Sequence, residues 1–177
     1  RDWSSDVCSS DLKERLTASV LRCECPGGGF GPWPGARARL SSTFLAIETL
    51  SALGMLDSID PRRHRAWLTT VRQQDGGYKD PLLRYPCWKQ TYWGLACQKR
   101  LGPDAPAELS SSLRQEITES LQGGIKKGHV TDEVFMSFWS LKFTGGIPAV
   151  IEENLASTVL QRVAVLRSEE RRVGKEC

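Results

Sequence analysis

The sequence lacks several features that would assign it to a particular functional class. No uninterrupted apolar run reaches the roughly 20 residues that a membrane-spanning helix needs, so no transmembrane segment is predicted. The net charge is only +3 over 177 residues and the charged residues are scattered, so no nucleic-acid-binding surface is predicted. Patterns typical of β-strands are weak, and the chain is therefore predicted to be all-α.

Cysteine and histidine are scarce, with six cysteines and two histidines. The four cysteines away from the termini are Cys23, Cys25, Cys87 and Cys97. In a helical domain of this size they are predicted to be free thiols in a reducing compartment, which favours a cytoplasmic protein. The Cys23-x-Cys25 pair is half of a metal motif, but no second CxC or HxxxH completes it, so no metal site is predicted.

Both ends of the chain resemble translated sequencing adapters. Asp2–Leu12 (DWSSDVCSSDL) is similar to one reading frame of a common short-read adapter, and Arg167–Cys177 (RSEERRVGKEC) is similar to a frame of the paired adapter. The alternative is a genuine serine-rich leader and a genuine charged tail. We interpret residues 1–12 and 167–177 as non-native and residues 13–166 as the protein's own repeat-bearing segment.

A glycine motif recurs at a nearly fixed interval in this segment. The three copies, Gly28-Gly29-Phe30, Gly76-Gly77-Tyr78 and Gly123-Gly124-Ile125, lie 48 and then 47 residues apart. Each copy is followed by an apolar run with a hydroxyl residue near its start, at Thr43, Thr91 and Ser137. A period in this range is typical of repeat proteins. We therefore predict about three repeats, each a hairpin of two helices.

Caps, glycines and prolines predict where the helices begin and end. Ser41 or Ser42 is expected to cap one helix, and Asp60 followed by Pro61 is expected to open the next. Residues 123–130 are predicted to form a loop. The first helix of each hairpin is the more apolar, which predicts an inner layer covered by amphipathic outer helices. The predicted helices are 13–22, 41–53, 61–74, 88–101, 106–121, 132–144 and 148–166.

The repeat resembles the prenyltransferase and squalene-cyclase family. From Cys25 to Leu166 the chain shows GGF, a short loop ending near Thr-aromatic, an apolar helix, a charged helix and then QxDGGY. The stretch CPGGGFGPWPGARARLSSTFLAIETLSALGML more closely resembles the β subunits of protein prenyltransferases. The resemblance implies an α/α toroid of about six helix pairs around an apolar cavity, of which this chain would form a partial ring.

The glycine motifs are interpreted as structural joints between hairpins. Gly28, Gly29, Gly76 and Gly77 allow a sharp backbone turn, and the aromatic residue that follows, Phe30 or Tyr78, would fill the gap between hairpins. The third copy, with Gly123 and Gly124, has isoleucine in the aromatic position.

The resemblance implies a zinc site formed by Asp-x-Cys before one inner helix and a histidine before a later one. No repeat of this chain carries that pair, because the corresponding columns hold Glu133 and Phe135, Cys87 and Lys89, and Arg39 and Ser41. No zinc ligands are therefore expected in this segment, and a zinc site would need residues elsewhere in the full-length protein. The DxDD acid of squalene-type cyclases is also missing, since the nearest string is Asp57-Ser58-Ile59-Asp60.

The two histidines have separate interpretations. His129 with Asp132 and Glu133 could be part of a metal site, but we favour a solvated helix entry in which the acidic residues complement the helix dipole. His64, in the string RRHR, is predicted to lie on the solvated face of an outer helix.

Aromatic and basic residues at the starts of inner helices form the candidate binding site. Aromatic faces suit isoprenoid tails and carbocations, and cations near helix N-termini favour a diphosphate. Core packing and surface solubility are the competing interpretations. The candidate aromatics are Trp88, Tyr92, Trp93, Phe138 and Trp139, and the candidate cations are Arg37, Arg39, Arg84 and Lys89.

Three hypotheses follow. The leading one is a fragment of a prenyltransferase-like enzyme that binds an isoprenoid diphosphate or another lipid, transfers prenyl groups to cysteine thiols and pairs with an α-subunit-like partner. The second is a fragment of a squalene-type terpene cyclase. The third is a non-catalytic α/α repeat protein that serves as a binding module or scaffold.

Overall fold

The structure is a computed structural model that describes residues 6–83, 88–102, 108–127 and 131–173, with side chains described for 11–83, 88–102, 108–127 and 131–161. Over these ranges the backbone is helical apart from turns and three isolated antiparallel bridges, which confirms the all-α prediction. None of the described helices has the length and hydropathy to cross a membrane. The helices are α1 (Asp6–Leu21), α2 (Leu40–Ala52), α3 (Pro61–Val71), α4 (Trp88–Leu101), α5 (Ser111–Lys126), α6 (Asp132–Phe143) and α7 (Ala149–Val173).

The chain divides into two compact units, Arg1–Pro106 and Ala107–Cys177, called unit 1 and unit 2 below. In unit 1, α2 and α4 pack directly against each other, and α3 packs on α4. α4 is buried on several sides, whereas α3 buries only His64, Leu68 and Val71. The contrast between α4 and α3 agrees with the prediction of an enclosed first helix and an outer second helix, but α2, which is also a first helix, leaves Leu45 62% exposed.

The first two glycine motifs form turns with matching backbone hydrogen bonds. Gly29 O accepts a hydrogen bond from Cys25 N at 3.0 Å, and Gly77 O accepts one from Gln73 N at 2.8 Å, 48 residues later. Gly28 and Gly29 have φ of 89° and 72°, which is the left-handed region that favours glycine. A side chain at Gly28 would also collide with α3, because its β-carbon would lie 2.5 Å from the Arg63 carbonyl oxygen.

The cap of α2 differs from the prediction. α2 begins at Leu40, and neither Ser41 nor Ser42 caps it. Instead, Leu40 N donates to Asp80 Oδ2 at 2.9 Å, so the carboxylate comes from the loop of the next repeat. The cap of α3 is confirmed, because Asp60 accepts from Arg62 N at 2.9 Å.

The third glycine motif departs from the first two. Gly123 and Gly124 lie inside α5, so the prediction of a loop beginning at Gly123 is wrong. A β-carbon on Gly124 would lie 2.3 Å from Val134 Cγ2, which shows that glycine lets α5 approach α6 closely. That packing offsets the cost of roughly 1 kcal/mol for a glycine in a helix.

Some of the other helix boundaries agree with the prediction, and others are shifted. α4 has its predicted limits and ends at Gly102, whose φ is 85°. α5 starts at Ser111 rather than Pro106, because Ser110 caps it by accepting from Leu113 N at 3.2 Å. α3 ends at Val71 rather than Gln74, since the following residues already belong to the second glycine turn. α7 extends to Val173, past the predicted end at residue 166.

The proposed boundaries of the native segment fall inside helices. α1 runs without a break across residue 12, and α7 runs across residue 167. The assignment of residues 1–12 and 167–177 as non-native therefore stays a prediction from the sequence.

Candidate functional site

The repeated hydroxyl residues anchor the glycine turns to the inner helices. Phe30 N donates to Thr43 Oγ1 at 2.9 Å, and Tyr78 N donates to Thr91 Oγ1 at 3.2 Å. Both hydroxyls are buried in the first turn of an inner helix. The third hydroxyl, on Ser137, is also buried, but it has no hydrogen-bond partner among the residues described, because the third motif is helical.

Three aromatic rings meet where α2 packs on α4 in unit 1, and we call them the unit 1 aromatic cluster: Phe44, Tyr92 and Trp93. The ring centroids of Phe44 and Tyr92 lie 5.5 Å apart in an edge-to-face arrangement, and those of Phe44 and Trp93 lie 6.5 Å apart. Tyr92 is buried, whereas Phe44 and Trp93 are half-buried. Phe44 was missed as a site residue, although it precedes Tyr92 by one repeat length of 48 residues.

The start of α4 carries the predicted basic and aromatic pair. Lys89 Nζ lies 5.5 Å from the centroid of the Trp88 ring, within cation–π range. Both residues are half-buried and lie one turn before Tyr92 and Trp93. The first turn of α4 contains no acidic residue of its own, and the loop residue Asp80 contacts it through a bond from Asp80 N to Gln90 Oε1 at 2.8 Å.

Arg39 has a different environment from Lys89. Its Nε lies 3.8 Å from Asp80 Oδ2, the same oxygen that accepts from Leu40 N. Asp80 is 1% exposed, and its other oxygen accepts from Leu82 N at 2.9 Å. A buried carboxylate thus already occupies the N-terminus of α2 and neutralises the nearest cation. Arg37 is exposed, and Arg84 lies outside the described residues.

An ion pair lies at the other end of the unit 1 aromatic cluster. Arg100 Nε and Nη2 donate to the two carboxylate oxygens of Glu48 at 2.9 and 3.1 Å. Burial, followed by the negative charge of Glu48, raises the pKa of Tyr92 above its ordinary value. Burial likewise raises the pKa of the Cys97 thiol, so this cysteine is a poor nucleophile.

The two remaining candidate aromatics, Phe138 and Trp139, belong to unit 2. Their ring centroids lie 5.6 Å apart, edge to face, on α6. Trp139 also lies 6.2 Å from Phe135 and 5.5 Å from Phe143, so a line of rings runs along this helix. Phe135 and Phe143 were not among the predicted site residues, although their spacing of four residues on either side of Trp139 places them on one helical face.

The prediction for His64 is wrong. This residue is completely buried, with 0% of its side chain exposed, and its ring stacks on Phe30 at 4.9 Å. Gly29 N donates to His64 Nδ1 at 3.0 Å, and His64 Nε2 lies 3.0 Å from Glu24 Oε1. The surrounding arginines suggested a solvated face, but the glycine turn, which lies 35 residues earlier, covers the imidazole.

The described residues do not fit the zinc site that the family resemblance implies. Phe135 stands in the cysteine column, and a phenyl ring cannot bind zinc. Glu133 and Asp132 are exposed at the start of α6, where Thr131 provides the cap, and His129 and Cys87 lie outside the described residues. Across the described ranges, no three His, Cys, Asp or Glu side chains are grouped as a metal site requires.

Comparisons with known proteins identify the domain family of this chain. The profile of the prenyltransferase alpha-alpha toroid domain matches residues 4–133. The protein farnesyltransferase subunit beta of Saccharomyces cerevisiae is 30% identical over 130 residues, which cover 71% of this chain and 27% of the relative. The geranylgeranyl transferase type-1 subunit beta of Arabidopsis thaliana is 28% identical over 135 residues, covering 69% of this chain and 36% of the relative.

A third relative, the protein farnesyltransferase subunit beta of Pisum sativum, is 31% identical over 72 residues, which cover 39% of this chain and 17% of the relative. The chain thus spans about a third or less of the length of each of these relatives. With the helical hairpins and the matching turns of unit 1, the match over residues 4–133 shows the fold class: the chain belongs to the prenyltransferase alpha-alpha toroid domain family.

Proposed function

We propose that this chain is part of a protein prenyltransferase β subunit and that unit 1 contributes to binding an isoprenoid diphosphate. The observation that carries the proposal is the order of side chains along α4. A cation over an aromatic ring, Lys89 on Trp88, precedes the unit 1 aromatic cluster by one helical turn. This order matches an amphipathic ligand with an anionic end and an apolar tail.

Lys89 is a better diphosphate ligand than Arg39. An anion near Arg39 would approach the buried carboxylate of Asp80, which already accepts from the first backbone N–H group of α2. The first turn of α4 has no acidic residue, so the helix dipole adds to the charge of Lys89. We therefore assign the diphosphate end of the ligand to Lys89.

The aromatic cluster is suited to the isoprenoid tail. Phe44 and Trp93 are half-buried and keep part of their rings accessible, whereas Tyr92 supports them from a buried position. The faces of such rings attract both polyene chains and developing allylic cations. Phe138 and Trp139 would provide a second aromatic surface, in unit 2, for the same class of ligand.

The relatives' names suggest the reaction and the partner. They are β subunits of farnesyl and geranylgeranyl transferases, which supports transfer of a prenyl group to a cysteine thiol and assembly with an α-subunit-like partner. Zinc, where bound, would stabilise the attacking thiolate. In this proposal its ligands would come from parts of the full-length protein outside this chain, because no repeat of this chain carries the Asp-x-Cys pair.

The sequence that flanks residues 13–166 in the gene tests the reaction. We expect an Asp-x-Cys motif before an inner helix and a histidine before a later one. If further repeats carry neither, the zinc-dependent transferase is refuted, and a DxDD motif in their place would establish the cyclase alternative.

A titration tests the binding step on the chain itself. Farnesyl diphosphate should quench the tryptophan fluorescence, and farnesol and inorganic pyrophosphate should each bind more weakly because each lacks half of the recognised ligand. Lys89→Gln should weaken farnesyl diphosphate binding about tenfold or more, as expected for loss of a charged contact. Lys99→Gln, at the opposite end of α4, is the matched control and should change the affinity little.

Trp93→Ala tests the tail-binding surface in the same titration. Loss of a large ring from the cluster should weaken farnesyl diphosphate about tenfold and leave pyrophosphate unchanged. Trp33→Ala removes an exposed tryptophan outside the cluster and should have no effect. Equal effects of the two substitutions would refute this part of the proposal.

A further inference from the structure

The buried histidine of unit 1 joins two segments that are far apart in the sequence. His64 lies on α3, and both of its ring nitrogens contact the loop that contains the first glycine turn: Nδ1 with Gly29 N and Nε2 with Glu24 Oε1, each at 3.0 Å. Phe30 covers one face of the ring, with an angle of only 5° between the two planes. The imidazole is therefore a bridge between α3 and the turn.

These contacts determine the protonation state of the ring. Because Gly29 N–H donates to Nδ1, that nitrogen must be unprotonated, and the proton of the neutral imidazole must reside on Nε2, where it points at the Glu24 carboxylate. A second proton on Nδ1 would oppose the Gly29 N–H group, donor against donor. The native contacts accept the neutral ring only.

The charged groups around the ring come from both packed segments. Glu24, on the loop, favours the imidazolium, and Asp60, on α3's cap, does so more weakly. Arg63, the neighbour on α3, disfavours it and is itself paired with Glu24. Burial of the ring is the largest influence and lowers the pKa of His64 below its ordinary value, despite the nearby carboxylates.

We propose that His64 is an acid-sensitive latch, in which protonation of Nδ1 breaks the bond to Gly29 and releases the Gly28–Phe30 turn from α3. The released turn would also lose the Phe30 N to Thr43 Oγ1 bond that anchors it to α2. Acidification would thus first loosen the contacts that the first glycine turn makes with α3 and with α2. This inference does not depend on the proposed prenyl-binding function.

The second repeat provides an internal control. Its turn has the same backbone bonds, but Gly77 N donates to Asp75 Oδ1 at 2.9 Å and not to a histidine. The bond of Gly77 N therefore does not depend on the protonation of an imidazole. Between about pH 7.5 and about pH 5, only the first turn should respond.

Hydrogen exchange of the 177-residue chain, corrected for the pH dependence of intrinsic exchange, tests the latch. Protection in residues 25–31 should fall about tenfold or more over this pH range, as expected for loss of a buried hydrogen bond, whereas protection in residues 73–79 should stay constant. Parallel loss in both turns, or constant protection in both, would overturn the proposal.

Two variants keep the test decisive. His64→Gln cannot acquire charge, so its first turn should keep the same protection at both pH values; a persistent acid-induced loss would contradict the latch. If that variant does not fold, Glu24→Gln serves instead. It removes the carboxylate that favours the imidazolium, so the transition should move to lower pH, and an unchanged or higher midpoint would count against the proposal.

Discussion

Asp80→Ala is expected to destabilise unit 1 far more than a change in an ordinary loop residue. The side chain is 1% exposed, and its two oxygens accept from Leu40 N and Leu82 N, each at 2.9 Å. The substitution leaves both backbone donors without their partner and removes the anion that faces the N-terminus of α2. No water can easily replace the carboxylate at Leu40, which is fully buried.

The magnitude follows from these two bonds. An unsatisfied buried donor costs about 1–3 kcal/mol, and the part-buried bond to Leu82 contributes about 0.5–1.5 kcal/mol. The free energy of unfolding should therefore fall by about 1.5–4.5 kcal/mol. Asp80→Asn keeps one carbonyl oxygen and should cost less, because that oxygen still satisfies one of the two donors.

Urea denaturation followed by circular dichroism measures this loss, and hydrogen exchange at residues 40–43 localises it to the first turn of α2. Asp75→Ala is the matched control, since this exposed aspartate accepts a single backbone N–H, from Gly77, and its removal should cost about 0.5–1.5 kcal/mol. If Asp80→Ala costs no more than Asp75→Ala, Asp80 does not connect the repeats as described.

Two further predictions concern the second repeat. Gly94→Ala places a β-carbon 2.2 Å from the Tyr78 ring and should lower the free energy of unfolding by about 1–3 kcal/mol. Gly123→Ala is the control, because a β-carbon there has no neighbouring atom within 4 Å and should not destabilise the protein. Thermal denaturation of the two variants measures the difference. Burial raises the pKa of Tyr78 to about 12. The contribution of the neutral phenol to the free energy of unfolding is therefore complete below about pH 10 and is lost as the pH rises towards 12. Ultraviolet titration against Tyr78→Phe measures this, and a tyrosine that ionises near pH 10 would contradict it.

The sequence predicted helix ends correctly where the residues that determine them lie close together in the chain. Asp60 and Pro61 open α3 as predicted because a cap and its donor are two residues apart. α4 has its predicted bounds because Gly102 ends it in a left-handed conformation. The spacing of the hydroxyls also had a structural cause, since Thr43 and Thr91 each hold the aromatic residue 13 positions earlier.

Three of the failures have a different cause, which is contact between segments that are separated in the sequence. Asp80 accepts from Leu40 N, which lies 40 residues earlier in the sequence, and His64 accepts from Gly29 N, which lies 35 residues earlier. Gly124 remains helical because it packs against Val134, a contact that no local propensity encodes. In the candidate site, the assignment of Trp88, Lys89 and the aromatics of α4 to ligand binding stays a prediction. Nothing in the sequence indicated that Arg39 lies beside the buried carboxylate of Asp80.

Photo-crosslinking with a diazirine analogue of farnesyl diphosphate tests the central claim most directly, because mass spectrometry then reports which residues the ligand touches. Crosslinks are expected in α4 between Trp88 and Trp93 and at Phe44 in α2, and excess farnesyl diphosphate should abolish them whereas farnesol should not. Crosslinks that persist under this competition, or that fall on the exposed face of α3, would contradict the proposal that the unit 1 aromatic cluster binds an isoprenoid diphosphate.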